Sequence, residues 1–257
     1  MELRQKKKIV NALIDTFEFA GKVALDLRKK GLKKEIKDDN TPVTNGDIEV
    51  NNILTKKISQ LTPTIPIVSE ETSENKKNTN LNNFWLIDPI DGTNDYINNR
   101  EEFTLNAALI LDGKPEIGII NAPDKKRLFY SYGALNSFEF YNNKEIKLID
   151  KKVSNSDNIK AVCYSEKLKP EILKFHQKFN VNSICKMKSS LKFCVIAAGE
   201  FDLYIAEPRA CEWDIAAGHA ILEHAGGKIT DFNGNQIQYG KPNFKNPSLI
   251  VKGKNIL

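Results

Sequence analysis

The apolar positions of this chain fall into stretches of two kinds. In residues 4–30, Ile9, Val10, Leu13, Ile14, Phe17, Ala20, Ala24 and Leu27 recur at helical spacing, and Gly31 stands where a helix closes. A charged, weakly extended piece covers 32–39, followed by Thr41-Pro42-Val43-Thr44. From Asn45 a second amphipathic helix is predicted, with Ile48, Ile53, Leu54, Ile58 and Leu61 on one face. Residues 65–68 and 84–87 are short apolar runs that read as strands, separated by a polar loop over 72–83. Residues 104–111 and 116–120 are two more, joined by Asp112-Gly113, a strong hairpin signal. Shorter strands are predicted at 128–132 and 138–141. The polar run 142–158 then marks a passage between two lobes, 1–145 and 146–257.

The second lobe alternates strand (161–164), helix (170–179), strand (183–187), helix (190–198), strand (201–206) and helix (214–225), ending in strands at 228–230 and 249–251. Such alternation implies helices packed on a mixed sheet. There is no internal repeat and no low-complexity tract.

The chemistry concentrates where apolar runs end. Trp85-Leu86-Ile87-Asp88-Pro89-Ile90-Asp91-Gly92-Thr93 carries two carboxylates three residues apart, then a glycine and a hydroxyl. Pro89 has no N–H to donate, so the ladder is expected to stop there. Gly92 permits a tight turn, and Thr93 is placed to cap a short helix. Taken alone, Asp-Pro-x-Asp-Gly is equally a polar turn. Glu70-Glu71 after the run at 65–68, and Asp214 after Trp213, change that reading, because acids gathered at the ends of three apolar segments do not describe a solvated surface. Carboxylates bind hard cations, and free N–H groups at a helix start bind phosphate.

With 257 residues, 40% hydrophobic and 28% charged, the chain has the composition of an ordinary globular protein. Its net charge of +5 comes from lysines spread singly, which does not indicate nucleic-acid binding. No apolar run is long enough to span a bilayer, and the N-terminus lacks the apolar stretch of a signal peptide. A cytoplasmic location is expected, with peripheral association at the inner membrane left open. Cys163, Cys185, Cys194 and Cys211 show no CxxC pairing and read as reduced, structural residues.

Ser69-Glu70-Glu71, the segment from Trp85 to Thr93, and Glu212-Trp213-Asp214-Ile215-Ala216-Ala217-Gly218, in that order, resemble the motifs of the inositol monophosphatase superfamily, which comprises magnesium-dependent, lithium-sensitive phosphatases of sugars and nucleotides. The resemblance implies a layered αβαβα sandwich, an α+β or α/β fold with mixed and antiparallel sheets. It also implies two or three Mg2+ ions: Glu70, Asp88 and the main-chain carbonyl of Ile90 at one, Asp88, Asp91 and Asp214 at another. The N–H groups of Gly92 and Thr93 would receive the phosphate. Val43-Thr44-Asn45-Gly46-Asp47 fits a family stretch whose acid bonds the motif threonine, so Asp47, Thr93 and Glu70 are the implied catalytic set for in-line attack by a metal-activated water. Glu71 is placed behind them. Without the resemblance, Asp47 is an acid favoured in a helix's first turn.

Lys188-Ser189-Ser190-Leu191-Lys192-Phe193-Cys194, Ala216-Ala217-Gly218-His219-Ala220 and Asn243-Phe244-Lys245-Asn246-Pro247 are similar to segments of the bacterial 3′(2′),5′-bisphosphate nucleotidases. These convert adenosine 3′,5′-bisphosphate to AMP and clear a product of sulfate activation. In that branch Ser189 and Lys192 would meet the second phosphate; otherwise Ser190-Leu191-Lys192 is a capped helix start. One departure stands out. Where the branch has an arginine in Tyr-x-Arg, this chain has Ala206, with Arg209 three residues on, and Glu207 matches the glutamate that inositol phosphatases turn to inositol hydroxyls. The expected substrate is therefore a nucleotide bisphosphate. Inositol 1-phosphate is the alternative, followed by fructose 1,6-bisphosphate and by a non-catalytic metal- or RNA-associated role. A monomer or homodimer is expected.

Overall fold

The computed structural model describes residues 1–37, 40–72, 76, 81–142, 144–151 and 158–257. The long helix α1 (Leu3–Lys30) buries Val10, Leu13, Phe17, Ala20 and Ala24 along one stripe. The weakly extended piece expected after it is an antiparallel ribbon of β1 (Lys34–Ile36) and β2 (Pro42–Thr44). Helix α2 (Asn45–Leu61) starts on a capping box: the Thr44 hydroxyl accepts the N–H of Gly46 at 3.1 Å, and Asp47 Oδ2 accepts the N–H of Thr44 at 2.8 Å. Its buried stripe is Asp47, Val50, Asn51, Leu54 and Ile58. Ile48, expected on that face, is instead 45% exposed, because a polar residue, Asp47, takes the inward position of the first turn.

Seven strands follow in an order that matches their sequence: β3 (Ile67–Ser69), β4 (Phe84–Asp91), β5 (Thr104–Leu111), β6 (Lys114–Ala122), β7 (Arg127–Ser131), β8 (Ser137–Tyr141) and β9 (Lys144–Lys147). The short helix α3 (Thr93–Ile97) lies between β4 and β5. Among the described residues of this sheet, only the β3–β4 pair is parallel. Strand β9 falls in the polar run 142–158, whose residues 143 and 152–157 lie outside the described ones, as does most of the loop 72–83. A four-residue edge strand with Ile146 as its one apolar residue carries no apolar alternation to mark it in the sequence.

The remaining elements are β10 (Ile159–Cys163), α4 (Pro170–Lys178), β11 (Val181–Lys186), α5 (Leu191–Ala197), β12 (Leu203–Ala206), α6 (Glu212–His224), β13 (Lys228–Thr230) and β14 (Leu249–Lys252). The second sheet runs β11-β10-β12-β14-β13, with β10 parallel to both its neighbours and β14 antiparallel to its own.

A fully apolar strand needs cover on both faces, and β4 has it. Trp85 and Ile87 sit in one core cluster with Leu13 and Phe17 of α1 and Leu54 and Ile58 of α2. Phe84 and Leu86 sit in another, with Phe193 of α5, Ile221 of α6 and Val251 of β14. Beyond the second sheet, Ile172 of α4 packs with Ala161, Leu203 and Ile205. The order of layers is α1/α2, first sheet, α5/α6, second sheet, α4: the αβαβα sandwich. Helix α6 lies close on β6 because position 118 is glycine, where a Cβ would run into the Ala217 carbonyl and come within 2.9 Å of the Ala220 Cβ. All four cysteines are free, with Cys163 and Cys194 buried. No helix among the described residues is long and apolar enough to cross a membrane.

Candidate active site

The acids converge because three element ends meet. Strands β3 and β4 are parallel, so both point their C-terminal ends the same way, and the Glu70 N–H donates to the Ile87 carbonyl at 3.0 Å. Asp214 enters from the first turn of α6. Glu70, Asp88 and Asp214 each bring a carboxylate oxygen within 4.8 Å of the other two. Asp88 Oδ1 is buried with no hydrogen-bond partner. An orphaned buried carboxylate oxygen is costly unless a cation or proton satisfies it.

Pro89 does not end the strand, contrary to expectation. Strand β4 runs on to Asp91, and the missing N–H is absorbed by a bulge between Asp88 and Asp91, which pair with Asn106 and Thr104 of β5. The bulge lets Asp88 and Asp91 both line one cavity. Gly92, at φ 95°, is the cap residue of α3, and a Cβ on it would lie 2.9 Å from the Glu102 carbonyl. Thr93 is therefore not the cap. Its hydroxyl is left to face Asp47 Oδ1 at 3.3 Å and the Ile90 carbonyl at 3.1 Å. Asp47 Oδ2 meanwhile takes the Thr44 hydroxyl at 2.6 Å, so one carboxylate caps α2 and reaches Thr93.

Electrostatics follow from this crowding. Burial, and then the neighbouring acids Glu70, Asp91 and Asp214, hold the Asp88 carboxyl well above its usual range. Asp214 is pushed up to about 8 by burial and by Asp91 and Glu70. Burial also raises Glu70, against the opposing pull of Lys37, and raises Asp47. Buried acids that repel one another fit a hard cation that neutralises them together.

Several neighbours were not foreseen. Lys37 lies 3.1 Å from Glu70 and 2.7 Å from Glu71, so Glu71 pairs with a lysine behind the cluster. Ser190, read as a helix cap, makes no side-chain cap bond. Its hydroxyl sits 2.6 Å from Asp91 Oδ2 and 2.5 Å from the Asp214 carbonyl, and accepts from Asn106 Nδ2 at 3.0 Å. Thr104 and Asn106 were visible as polar residues at alternate positions of an apolar run; Lys37 and Ser190 carried no such signal. Helix α6 begins two residues early, at Glu212, a buried carboxylate that accepts the N–H groups of Gly240 and Lys241. His219 packs against Tyr239, outside the cluster.

The acids form one wall of a cavity of about 310 Å³; Lys188, Ser189, Lys192, Glu207 and Arg209 are on its lining too. Lys192 is buried, donates to the Ser189 carbonyl and stands 5.3 Å from the Tyr204 ring centre. Burial lowers its pKa to about 8, while Asp91 pulls the other way. The cavity lining thus carries carboxylates suited to cations together with lysine and arginine side chains suited to anions.

The chain is 37% identical over 241 residues to the 3′(2′),5′-bisphosphate nucleotidase CysQ of Buchnera aphidicola, covering 91% of this chain and 88% of that one. It superposes on CysQ from Bacteroides thetaiotaomicron, a bacterial member of the inositol monophosphatase family, with a TM-score of 0.77 and 27% identity over 97% of this chain and 98% of that one. It also superposes on an IMPase/NADP phosphatase complexed with Mg2+ and phosphate, with a TM-score of 0.78 over 98% and 92% of the two chains; at 20% identity this likeness concerns the fold alone. The profile of the inositol monophosphatase family matches residues 5–255, so the chain belongs to the inositol monophosphatase family.

Proposed function

We propose that this protein is a magnesium-dependent phosphomonoesterase that removes the 3′-phosphate of adenosine 3′,5′-bisphosphate, giving AMP and phosphate. The observation that carries the reading is the orphaned Asp88 oxygen among converging carboxylates, in a cavity also lined by Lys188, Lys192 and Arg209. The 37% identical Buchnera relative, named a 3′(2′),5′-bisphosphate nucleotidase, supports the choice of substrate.

Glu70, Asp88 and the Ile90 carbonyl would hold one ion, and Asp88, Asp91 and Asp214 a second. Bound there, magnesium supplies charge to the phosphoryl oxygens and lowers the pKa of water. The rest falls to the chain. Gly92 and Thr93 line the cavity beside the acids and offer main-chain N–H groups to the phosphate. The Thr93 hydroxyl, donating toward Asp47, turns its lone pairs to an attacking water and fixes the line of attack. Asp47 and Glu70, whose carboxyls burial raises, suit the temporary uptake of that water's proton near neutral pH. Ser189 and Lys192 would meet the remaining phosphate, and the product leaves without a covalent intermediate.

The test is phosphate release with Mg2+ from adenosine 3′,5′-bisphosphate, AMP and inositol 1-phosphate at equal low concentration. The bisphosphate is expected to be preferred at least tenfold in kcat/KM. A preference for inositol 1-phosphate overturns the reading and hands specificity to Glu207. A second expectation concerns Ser190, which joins Asp91 to the first turn of α6. Ser190→Ala is expected to raise the Mg2+ concentration for half-maximal activity about 10–100-fold, the usual cost of losing a ligand's supporting hydrogen bond. An unchanged magnesium titration would show that Asp91 needs no such support.

A further inference from the structure

Asp47 and Thr93, the pair assigned to the attacking water, come from two helices of unequal standing. Asp47 is fixed at the start of α2, where its Oδ2 accepts from the Thr44 hydroxyl at 2.6 Å and the Thr44 N–H at 2.8 Å. Thr93 opens α3, a helix of five residues, too short to be stable by itself. Two residues of α3 are buried, Asp95 and Tyr96, and Tyr96 supplies the apolar body. It stands three positions after Thr93, on the neighbouring turn of the same helix face. The Tyr96 hydroxyl donates to the Ala24 carbonyl of α1 at 2.6 Å. Its ring packs on Phe103, the two ring centres 4.9 Å apart. Arg28, bonded to Asp124 at 2.7 and 2.9 Å, lies over both rings, 5.7 Å from the centre of Tyr96 and 5.2 Å from that of Phe103. The Tyr96 ring also rests on Gly46, the residue before Asp47: a Cβ at 46 would run into the Tyr96 hydroxyl and lie 2.7 Å from Cε1.

A buried ring held by a hydrogen bond and by close packing does not shift without disturbing its neighbours. Tyr96 therefore decides how near α3 stands to the first turn of α2, and with it the 3.3 Å between Thr93 Oγ1 and Asp47 Oδ1. A hydrogen bond already that long weakens with any further separation. Alanine at 46 would suit a helix better than glycine; what the missing Cβ provides is room for the ring. We infer that Tyr96, seated on Gly46, is a positioning residue of the reaction: it sets the separation of Thr93 from Asp47, and through it the line along which the water attacks. Tyr96 is fully buried and off the cavity wall, so it acts through Thr93 and not by touching substrate. This rests on the roles proposed above for Thr93 and Asp47.

Two measurements test it. In the first, kcat and KM for adenosine 3′,5′-bisphosphate at saturating Mg2+ are determined for the wild type, Y96F, Y96L, G46A, T93A and the double variant Y96L/T93A, at a temperature where melting curves show each one folded. Y96L and G46A are expected to lower kcat at least about tenfold with little change in KM, and Y96F, which keeps the ring, to stay within about threefold of wild type. With the Thr93 hydroxyl already gone, Y96L is expected to cost less than about twofold more, because its effect runs through that group. A wild-type kcat in Y96L, or equal losses with and without Thr93, overturns the inference. In the second, crystal structures of the wild type, Y96L and G46A are compared. The Thr93–Asp47 separation is expected to open by at least about 0.5 Å, the tolerance of a productive site, while the Thr44–Asp47 bond keeps its length. A separation unchanged in both variants overturns the inference without reference to turnover. The proposed mechanism fails separately, when T93A turns over as fast as the wild type.

Discussion

Asp91→Asn is expected to lower kcat for phosphate release about 10³-fold while leaving the folded protein at least as stable. A loss of that size is about 4 kcal/mol of transition-state stabilisation, the scale seen when one preorganised electrostatic contact to the reacting group is removed. Asparagine has almost the same shape and keeps an acceptor oxygen for the Ser190 hydroxyl, which stands 2.6 Å from Asp91 Oδ2. What it removes is a negative charge. In the proposed mechanism that charge helps to hold a magnesium ion against the phosphate. In the protein without metal it is a liability, since Asp91 is among the charges that raise the carboxyls of Asp88, Glu70 and Asp214. Removing one like charge from such a group relieves repulsion. Activity and stability should therefore move in opposite directions. Steady-state kinetics with saturating Mg2+, and thermal melts of both proteins in chelator, check the two halves. Near-normal kcat would sink the assignment of Asp91 to the metal site, and a lower melting temperature would show that the substitution acts through the fold.

How far the chain could be read without its structure depended on the range of the interactions involved. The run 84–87 announces a strand covered on both faces, and Trp85 and Phe84 do sit in different cores. The stacking of layers is another matter: periodicity tells which face of a helix is buried but not against what, and the αβαβα order came only from the family resemblance. Pro89 shows a local rule applied too strictly, since a two-residue bulge carries β4 past a missing donor. Ile48 shows the converse, an apolar residue displaced by Asp47, whose inward place has a use beyond packing. The acids were legible because each sits at the end of an apolar segment. Lys37 and Ser190 were not, because they meet their partners 33 and 99 residues away, and nothing in the immediate sequence marks such a contact.

The metal-free protein is expected to become less stable as the pH rises from 5 toward 8, and Mg2+ to reverse the loss. Asp88, Asp214, Glu70 and Asp47 are all held above the ordinary carboxylate range in the fold, in each case first by burial. In the unfolded chain such groups ionise near pH 4. Between these values the folded state binds more protons than the unfolded one, so the stability slope with pH is negative. The contribution is complete below about pH 4 and is lost as pH rises through the folded value, about 8 for Asp214. Lys192 runs the other way. Burial lowers it to about 8 in the fold, so above that pH the unfolded chain holds the extra proton and stability recovers toward the free lysine value. The two slopes place a minimum near pH 8, where Asp214 and Lys192 are each about half ionised. A divalent ion that binds only the folded acids at 100 times its Kd contributes about 2.7 kcal/mol. For a chain of this size that is on the order of 5–10 °C in Tm, largest near the minimum. Melting curves across pH in chelator and in Mg2+ test the argument. A Tm that is flat from pH 5 to 8 in chelator, and unmoved by magnesium at pH 8, would mean that the carboxylates do not repel one another and that the cluster is not a cation site.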